Sequence, residues 1–188
     1  PYLTSDEMLV RLKAEQILET IDAIMKINNI DKCFIAYKKK NRDVLLSFLN
    51  CMDKYTNIYL APLKDLYPMG WERKIIKDVL NVEYEKYPNE KEIVVNNVST
   101  ILAIYKALKF QRPISKRIIT ISGEGFSDQI NVLLKIGADI SEVLKELGKY
   151  NSEEVSIIAG GPMMGIALSD DSTMATKNLN GITILQKL

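Results

Sequence analysis

Residues 32–63 read KCFIAYKKKNRDVLLSFLNCMDKYTNIYLAPL and decide the fold of the first half of the chain. A short, nearly continuous apolar run at Lys32–Tyr37 predicts a buried strand, and Asn57–Leu63 predicts a second one. Between them, Asp43–Met52 carries apolar residues at helical spacing. Strand, helix and strand in this order favour a βαβ unit with a parallel sheet. Such a sheet presents its ligand crevice at the carboxyl ends of its strands, so the loops that follow the strands are the places to search for chemistry.

The alternation of strands and helices extends in both directions. Apolar residues at helical spacing from Met8 to Met25 predict a long first helix. Downstream, Trp71–Leu80 and Asn97–Phe110 predict two further helices, and Glu92–Val95 predicts a short third strand between them. The first half is therefore expected to be α/β with a parallel sheet.

The pattern changes after Pro113. Arg117–Ser122 and Ile130–Ile136 predict two consecutive strands, Ser141 is the expected cap of a short helix, and Val155–Ala159 predicts another strand. Two strands, a helix and a strand indicate a small β-grasp-like module. The expected domains are residues 1–113 and residues 114–188.

Composition excludes several classes of function. The chain has 25 Lys and Arg against 24 Asp and Glu, a net charge of +1, so it lacks the strongly basic footprint of a nucleic-acid-binding protein. Hydrophobic residues make up 47% of the 188 residues, which is typical of a globular protein. No apolar run approaches the ~20 residues that span a bilayer, so direct membrane insertion is not expected. Nothing resembles a signal peptide, and the expected location is cytoplasmic.

The scarcity of metal-binding residue types excludes further chemistry. The chain has no histidine, so a Ser-His-Asp triad or an imidazole zinc site is impossible within it. Its two cysteines, Cys33 and Cys51, are too few to hold an iron–sulfur cluster with four cysteine ligands. No metal site is expected, and Cys33, within an apolar run, is expected to be a reduced core thiol.

The first candidate motif, Tyr67-Pro-Met-Gly-Trp-Glu72, lies between a predicted strand and a predicted helix. Gly70 allows close approach of a ligand to the backbone, and Glu72 places a carboxylate in the first turn of the helix, where the helix dipole favours it. One interpretation is a ribose-binding carboxylate beside a close-approach glycine. The alternative is an ordinary turn with a favourable helix start.

The second candidate motif, Asn96-Asn-Val-Ser-Thr100, opens a predicted helix. Helix N-termini bind anions through backbone N–H groups, and the Asn and Thr side chains add donors, so this segment is a candidate phosphate site. The alternative is that Asn96 or Asn97 only caps the helix.

Two other stretches have simpler interpretations. Gly160-Gly-Pro-Met-Met-Gly165 lacks the Lys-Ser/Thr of a nucleotide P-loop. We expect a tight connection between two strands with its methionines in the core, although a docking surface is also compatible with the composition. The charge run Lys38-Lys-Lys40 with Arg42 is typical of a solvated loop, and the sequence assigns no function to it.

Five segments taken together, in this order, are far more specific than any one of them. They are Pro1–Asp6, Tyr67–Glu72, Val95–Thr100, Arg117–Gly123 and Gly160–Gly165. With these segments the chain resembles the RnfC family, the electron-input subunit of an ion-pumping ferredoxin:NAD oxidoreductase. Soluble relatives include the PrdC-type and PduS-type proteins, and all are similar to the flavin-binding subunit of respiratory NADH dehydrogenase.

The resemblance implies a Rossmann-like flavin and NADH domain, followed by a β-grasp soluble-ligand-binding (SLBB-like) module. It implies FMN and NAD(H) as cofactors. The Tyr-x-x-Gly-x-Glu loop contributes to that site in the family, which implies roles for Tyr67, Gly70 and Glu72. Paired asparagines and a threonine hold the FMN phosphate in the family, which implies roles for Asn96, Asn97 and Thr100.

The resemblance also implies that the chain corresponds to the middle of a longer protein. The family's glycine-rich flavin loop would precede Pro1, and its cysteine-rich 4Fe-4S segment would follow Leu188. Such a piece alone is expected to be inactive. The parent is expected to pass electrons between NAD(H), FMN and iron–sulfur centres with other subunits or a partner reductase, either in solution or held by its partners on the inner face of a membrane. The alternatives are a non-catalytic docking or adaptor protein of the same fold, in an electron-transfer pathway such as proline reductase, and a cobalamin-reductase relative.

Overall fold

A computed structural model describes residues 2–187 of the chain. The chain divides into two compact units, Leu9–Arg112 and the pair of segments Pro1–Met8 and Pro113–Leu188. Residues 1–8 therefore group with the C-terminal part of the chain, whereas the domains expected from sequence place them with residues 9–113. The two units are described separately below.

The unit Leu9–Arg112 contains a parallel pair of strands surrounded by helices. The pair joins β1 to β2 in a register that runs from Cys33 opposite Ile58 to Lys38 opposite Leu63. Its elements are α1 (Ser5–Ile27, which begins in the other unit), β1 (Cys33–Lys38), α2 (Arg42–Leu49), β2 (Ile58–Leu63), α3 (Glu72–Leu80), a 3₁₀ turn (Pro88–Lys91) and α4 (Val98–Phe110). The expected parallel α/β architecture is confirmed.

One apolar cluster holds this unit together. Beyond a kink of α1 at Lys13, its buried side chains recur every three or four residues, from Ala14 to Met25, so they share one face of the helix. They pack with Phe48 of α2, Ile58 of β2 and Ile101 of α4. Cys33 is partly buried against the same cluster, and this burial raises the pKa of its thiol. The sequence-based interpretation of Cys33 as a packing residue agrees with this position.

The expected third strand at Glu92–Val95 is wrong, because this segment is irregular and pairs with no strand among residues 2–187. Glu92 has a φ of 56° and ends the 3₁₀ turn, with its N–H bonded to the Asn89 carbonyl at 3.1 Å. Two of the apolar side chains of the segment, Ile93 and Val95, are partly buried, whereas Val94 is exposed. An apolar run alone cannot form a strand, because a strand also needs a neighbouring strand to satisfy its backbone groups.

The second unit contains a five-stranded mixed sheet and one helix. The strand order is β4-β3-β7-β5-β6, with β3 parallel to β7 and every other neighbouring pair antiparallel. The elements are β3 (Lys116–Ser122), β4 (Ile130–Lys135), α5 (Ile140–Leu147), β5 (Val155–Ala159), β6 (Ile166–Leu168) and β7 (Gly181–Gln186). This arrangement confirms the expected β-grasp module.

Two local expectations in this unit are corrected. The cap of α5 is Asp139, whose side chain accepts the Ser141 N–H at 2.8 Å, so Ser141 is a first-turn residue and not the cap. The short strand β6, at the edge of the sheet, was not expected because only three residues pair there. Bonds from the Ser141 hydroxyl and backbone hold the pKa of the Asp139 carboxyl below its usual value.

The first residues of the chain lie on β3 of this unit. The hydroxyl oxygen of Thr120 accepts hydrogen bonds from the N–H groups of Thr4 (3.1 Å) and Ser5 (3.0 Å). The Ser122 hydroxyl donates to the Tyr2 carbonyl at 2.7 Å. Thr120 and Ser122 are buried, so these bonds satisfy polar groups that water does not reach.

No helix among residues 2–187 is long and apolar enough to cross a bilayer.

Candidate functional site

The parallel register places the carboxyl ends of β1 and β2 at one edge of the sheet. Lys38 lies opposite Leu63, and the N–H of Lys39 donates to the Leu63 carbonyl at 2.9 Å. Two connections leave the sheet here, residues 39–41 toward α2 and residues 64–71 toward α3. We call this edge, with its two connections, the carboxyl edge.

The loop that contains Tyr67 belongs to the carboxyl edge. Two backbone bonds shape it, from the Met69 N–H to the Leu66 carbonyl and from the Trp71 N–H to the Pro68 carbonyl, each 2.8 Å long. The Met69 side chain is buried and anchors the loop. Tyr67 and Trp71 are 60% and 58% exposed, so the loop presents two aromatic side chains at the surface.

Gly70 and Glu72 lie at the end of this loop and at the start of α3. A Cβ built on Gly70 would meet none of the described atoms within 4 Å, so packing inside the protein does not require the glycine. The space beside its backbone is open to an approaching group. Glu72 begins α3 and is partly buried, and a carboxylate in a first helical turn is stabilised by the helix dipole.

The second motif forms the start of α4. Asn97 is the cap, and its side-chain oxygen accepts both the N–H (2.8 Å) and the hydroxyl (2.7 Å) of Ser99. The interpretation of Asn97 as a helix cap is therefore confirmed. Asn96 and Thr100 are exposed, and the first turn of α4 contains no acidic residue. The first turns of the other described α-helices each contain one or two acidic residues. The N-terminus of α4 is therefore the one that repels an anion least.

The structure places the six predicted residues in two groups within one unit. Tyr67, Gly70 and Glu72 occupy the carboxyl edge and the start of α3. Asn96, Asn97 and Thr100 surround the start of α4, which is anchored in the core of the same unit through Ile101 and Leu102. Their roles toward a ligand stay predictions.

Arg73 was missed by sequence reasoning, although it follows Glu72 directly. Its guanidinium lies 4.2 Å from the centre of the buried Tyr84 ring and donates to the carbonyls of Tyr84 and Glu85. These contacts tie α3 to the connection that leads to α4. An arginine in a helix gives no sequence signal for such long-range bonds.

Glu90 supports the same connection from its other side. Its carboxylate accepts the N–H groups of Tyr87 (2.9 Å), Lys86 (3.0 Å) and Glu85 (3.1 Å). These bonds, the one from Tyr87 first, lower the pKa of Glu90 from its ordinary value of 4.5. Residues 85–90 thus form an ordered turn that precedes Asn96 and Asn97. A Glu three residues after the helix-capping position is the signal that could have revealed it.

We expect acid to loosen this turn. Because the folded pKa of Glu90 lies below the unfolded value, its stabilising effect is complete above that value and is lost as the pH falls through the folded pKa. Hydrogen-exchange protection of the Lys86 and Tyr87 amides should therefore decrease as the pH falls below 4.5. Glu90→Gln should remove most of this pH dependence. Equal pH dependence in both proteins would contradict the assignment.

The Gly160–Gly165 loop is corrected in one respect. It connects β5 to β6 tightly, as expected, with the Gly165 N–H bonded to the Gly161 carbonyl at 2.8 Å. Its methionines are not in the core, because Met163 and Met164 are 67% and 75% exposed. Gly161 instead accommodates Leu3, whose side chain lies 3.3 Å from the position of a Cβ at residue 161.

Comparison with known proteins identifies one matching family and several related proteins. Residues 1–106 match the family described as the Nuo51 FMN-binding domain. The chain is 29% identical to a subunit of the ion-translocating oxidoreductase complex of Rhodobacter capsulatus over 98% of its length. It is 31% identical to a subunit of the proton-translocating ferredoxin:NAD(+) oxidoreductase complex of Clostridium ljungdahlii, and 27% identical to a subunit of the Na(+)-translocating ferredoxin:NAD(+) oxidoreductase complex of Acetobacterium woodii, each over the full chain.

The chain spans only part of each relative. It covers 36% of the Rhodobacter protein, 41% of the Clostridium protein and 43% of the Acetobacterium protein. Among solved structures, a chain of the NAD+-reducing [NiFe]-hydrogenase in the air-oxidized state matches 99% of this chain with a TM-score of 0.80. The sequence identity is 13%, and this chain covers 38% of that one, so the likeness concerns the fold alone.

Proposed function

Because the chain belongs to the family of the Nuo51 FMN-binding domain, we propose that it forms part of the flavin and NAD(H) site of an RnfC-like electron-transfer flavoprotein. Residues 1–113 would supply the FMN and NADH domain, and residues 114–188 the β-grasp soluble-ligand-binding module. The observation that carries this proposal is that the family match, residues 1–106, contains both candidate motifs.

The residues of the carboxyl edge suit the nucleotide part of this function. In the proposed site the Glu72 carboxylate accepts hydrogen bonds from ribose hydroxyls, and Gly70 lets the backbone come close to the bound rings. The exposed ring of Tyr67 offers a flat apolar surface for stacking. Each of these roles agrees with the exposure of the residue concerned.

The start of α4 suits the phosphate of FMN. Asn96 and Thr100 offer exposed donors, and the absence of acidic residues in the first turn leaves the helix dipole uncancelled. In this proposal Asn97 acts in two ways, since it also fixes the first turn through Ser99. Bound FMN supplies the redox chemistry, because a flavin exchanges hydride with NAD(H) and passes single electrons onward.

The proposal extends to the longer protein. The relatives are named as subunits of ion-translocating or ferredoxin:NAD(+) oxidoreductase complexes. We propose that the parent of this chain also works with partner subunits or a reductase on the cytoplasmic side of a membrane. Its iron–sulfur centres would be held by segments other than the one described here, which contains only two cysteines.

An FMN titration of the chain, followed by flavin fluorescence with and without NADH, tests the proposal. Saturable quenching supports a flavin site within these residues. If quenching is absent, the same titration on the longer parent protein decides: recovered binding supports the flavoprotein, and continued absence rejects it in favour of an adaptor.

Two substitutions should separate the nucleotide and flavin roles in the parent protein. Glu72→Gln should raise the KM for NADH by about tenfold with little change in flavin content, because a hydrogen bond to a charged group is lost at the ribose. Asn97→Ala should instead lower the flavin content. NADH kinetics and the ratio of flavin to protein measure the two effects. Parallel losses in both variants would contradict the assignment.

A second candidate, a docking or adaptor role, is favoured by one observation. The apolar side chains of Met163, Met164 and Ile166 are exposed together at an edge of the β-grasp sheet, where flexible methionines suit a protein contact. A parent protein without flavin that still associates with an electron-transfer partner would support this role. A corrinoid bound to the purified parent would instead support the cobalamin-reductase alternative.

A further inference from the structure

The carboxyl edge carries a concentration of positive charge that the proposed function has not used. Lys38, Lys39, Lys40 and Arg42 follow β1, Lys64 follows β2, and all five are exposed. The whole chain has a net charge of only +1, so this excess is a local feature. It lies at the edge of a parallel sheet where ligands of α/β proteins bind.

One carboxylate lies among these cations. The Asp65 side chain is 3.0 Å from the ammonium of Lys38. The pKa of Asp65 is lowered chiefly by Lys38 and further by Lys40, so both lysines act on the same group. The charge run after β1 and the loop toward Tyr67 are therefore adjacent, as the parallel register requires.

Lys39 and Lys40 stay without an ion-pair partner among residues 2–187. The other nearby carboxylate, that of Asp43, pairs with Arg11 at 3.3 Å and does not neutralise them. Asn41, the next residue, caps α2 by accepting the Val44 N–H at 3.3 Å. The two lysines thus lie at the connection between β1 and α2, where no described carboxylate pairs with them.

The opposite edge of the same sheet has no comparable excess of positive charge among the residues that line its cavity. The open cavity there, about 490 Å³ in volume, is lined by acidic and basic side chains together: Asp22, Lys26, Asp31 and Lys54. Lys32, which precedes β1 at that edge, is exposed and follows Asp31 directly. A generally solvated lysine surface would show no such difference between the two edges.

We propose that Lys39 and Lys40 bind a phosphate group of the nicotinamide nucleotide. This inference rests on the proposed function for the identity of the nucleotide, whose ribose lies at Glu72 in that proposal. Two ammonium groups on a short connection fit a multiply charged phosphate better than a single carboxylate. The phosphate is either the pyrophosphate bridge, present in NADH and NADPH, or the 2′-phosphate, present only in NADPH.

The test compares the double variant Lys39→Gln and Lys40→Gln with Lys32→Gln in the full chain. Affinities for NADH, NADPH and inorganic pyrophosphate are measured by calorimetry at two salt concentrations. The double variant should weaken nucleotide binding by about fivefold and reduce its salt dependence, whereas Lys32→Gln should leave both nearly unchanged. If the double variant loses affinity for NADH and NADPH equally, the lysines bind the pyrophosphate bridge. If it loses affinity for NADPH alone, they bind the 2′-phosphate.

Several results overturn the inference. One is an equal loss of nucleotide affinity in the double variant and in Lys32→Gln. Another is that the wild-type chain binds no nucleotide. A third is that pyrophosphate displaces FMN and not the nucleotide. Circular dichroism checks that the variants fold. Lysine-dependent nucleotide binding by a protein that never takes up FMN would reject the flavoprotein proposal and leave this inference standing.

Discussion

Replacing Gly123 with Ala should reduce the free energy of unfolding of the β-grasp unit by about 4 kcal/mol. Gly123 has a φ of 112°, a conformation that side chains rarely adopt, and an added Cβ would lie 2.0 Å from the carbonyl oxygen of Ile184. That carbonyl belongs to the buried strand β7 and also accepts the Gly125 N–H at 2.9 Å. The backbone cannot move away without losing this bond.

Gly137→Ala is the matched control. Its φ of 87° is also positive, but an added Cβ would meet none of the described atoms within 4 Å. Gly137→Ala should therefore lower the free energy of unfolding by only about 1 kcal/mol, the cost of holding a side chain at a positive φ. Urea unfolding followed by far-UV circular dichroism, together with hydrogen exchange of the β7 amides, measures both. If the two variants lose equal stability, the close approach to Ile184 is not what requires glycine at residue 123.

The second large effect is expected for Thr120→Val, which should lose about 3 kcal/mol of stability. The Thr120 hydroxyl accepts from the N–H groups of Thr4 and Ser5 and donates to the Asn131 side-chain oxygen at 2.8 Å. Valine has nearly the same shape, so packing is retained while the N–H groups of Thr4 and Ser5 lose their acceptor and the Asn131 side-chain oxygen loses one of its donors. Hydrogen exchange of the Ser5 amide should rise in the variant, because this N–H loses its acceptor.

Thr183→Val provides the comparison. Thr183 is also fully buried, but its hydroxyl makes one bond among the described residues, to the Gly160 carbonyl at 2.7 Å. We expect a loss of about 1 kcal/mol, again measured by urea unfolding. A loss as large as that of Thr120→Val would show that burial of the threonine, and not the number of its partners, sets the cost.

Much of this fold was predictable because its elements depend on local pattern. Val155–Ala159 forms the strand that its sequence predicts, and β1, β2 and α4 differ from the predicted bounds by only one residue. In each of these, the spacing of apolar residues decides both the element and the face that is buried. The α/β class and the position of the Tyr67 loop after a strand follow from the same pattern.

Where the predictions were wrong, long-range partners decided the outcome. Glu92–Val95 has the composition of a strand but no neighbouring strand in the described part of the chain, and β6 has a neighbour although its three residues give almost no signal. Met163 and Met164 are apolar yet exposed, because the turn that carries them leaves the core at the sheet edge.

The sequence by itself determined the helices, most of the strands and the two candidate motifs, since these depend on residues close together in the chain. Only the tertiary structure decided that β3 pairs in parallel with β7, some 60 residues later, and that Thr4 and Thr120 share hydrogen bonds. It also decided that Lys38 and Asp65 meet at the carboxyl edge, 3.0 Å apart. Such contacts depend on which surfaces pack together to bury apolar area, and no local spacing of residues encodes that choice.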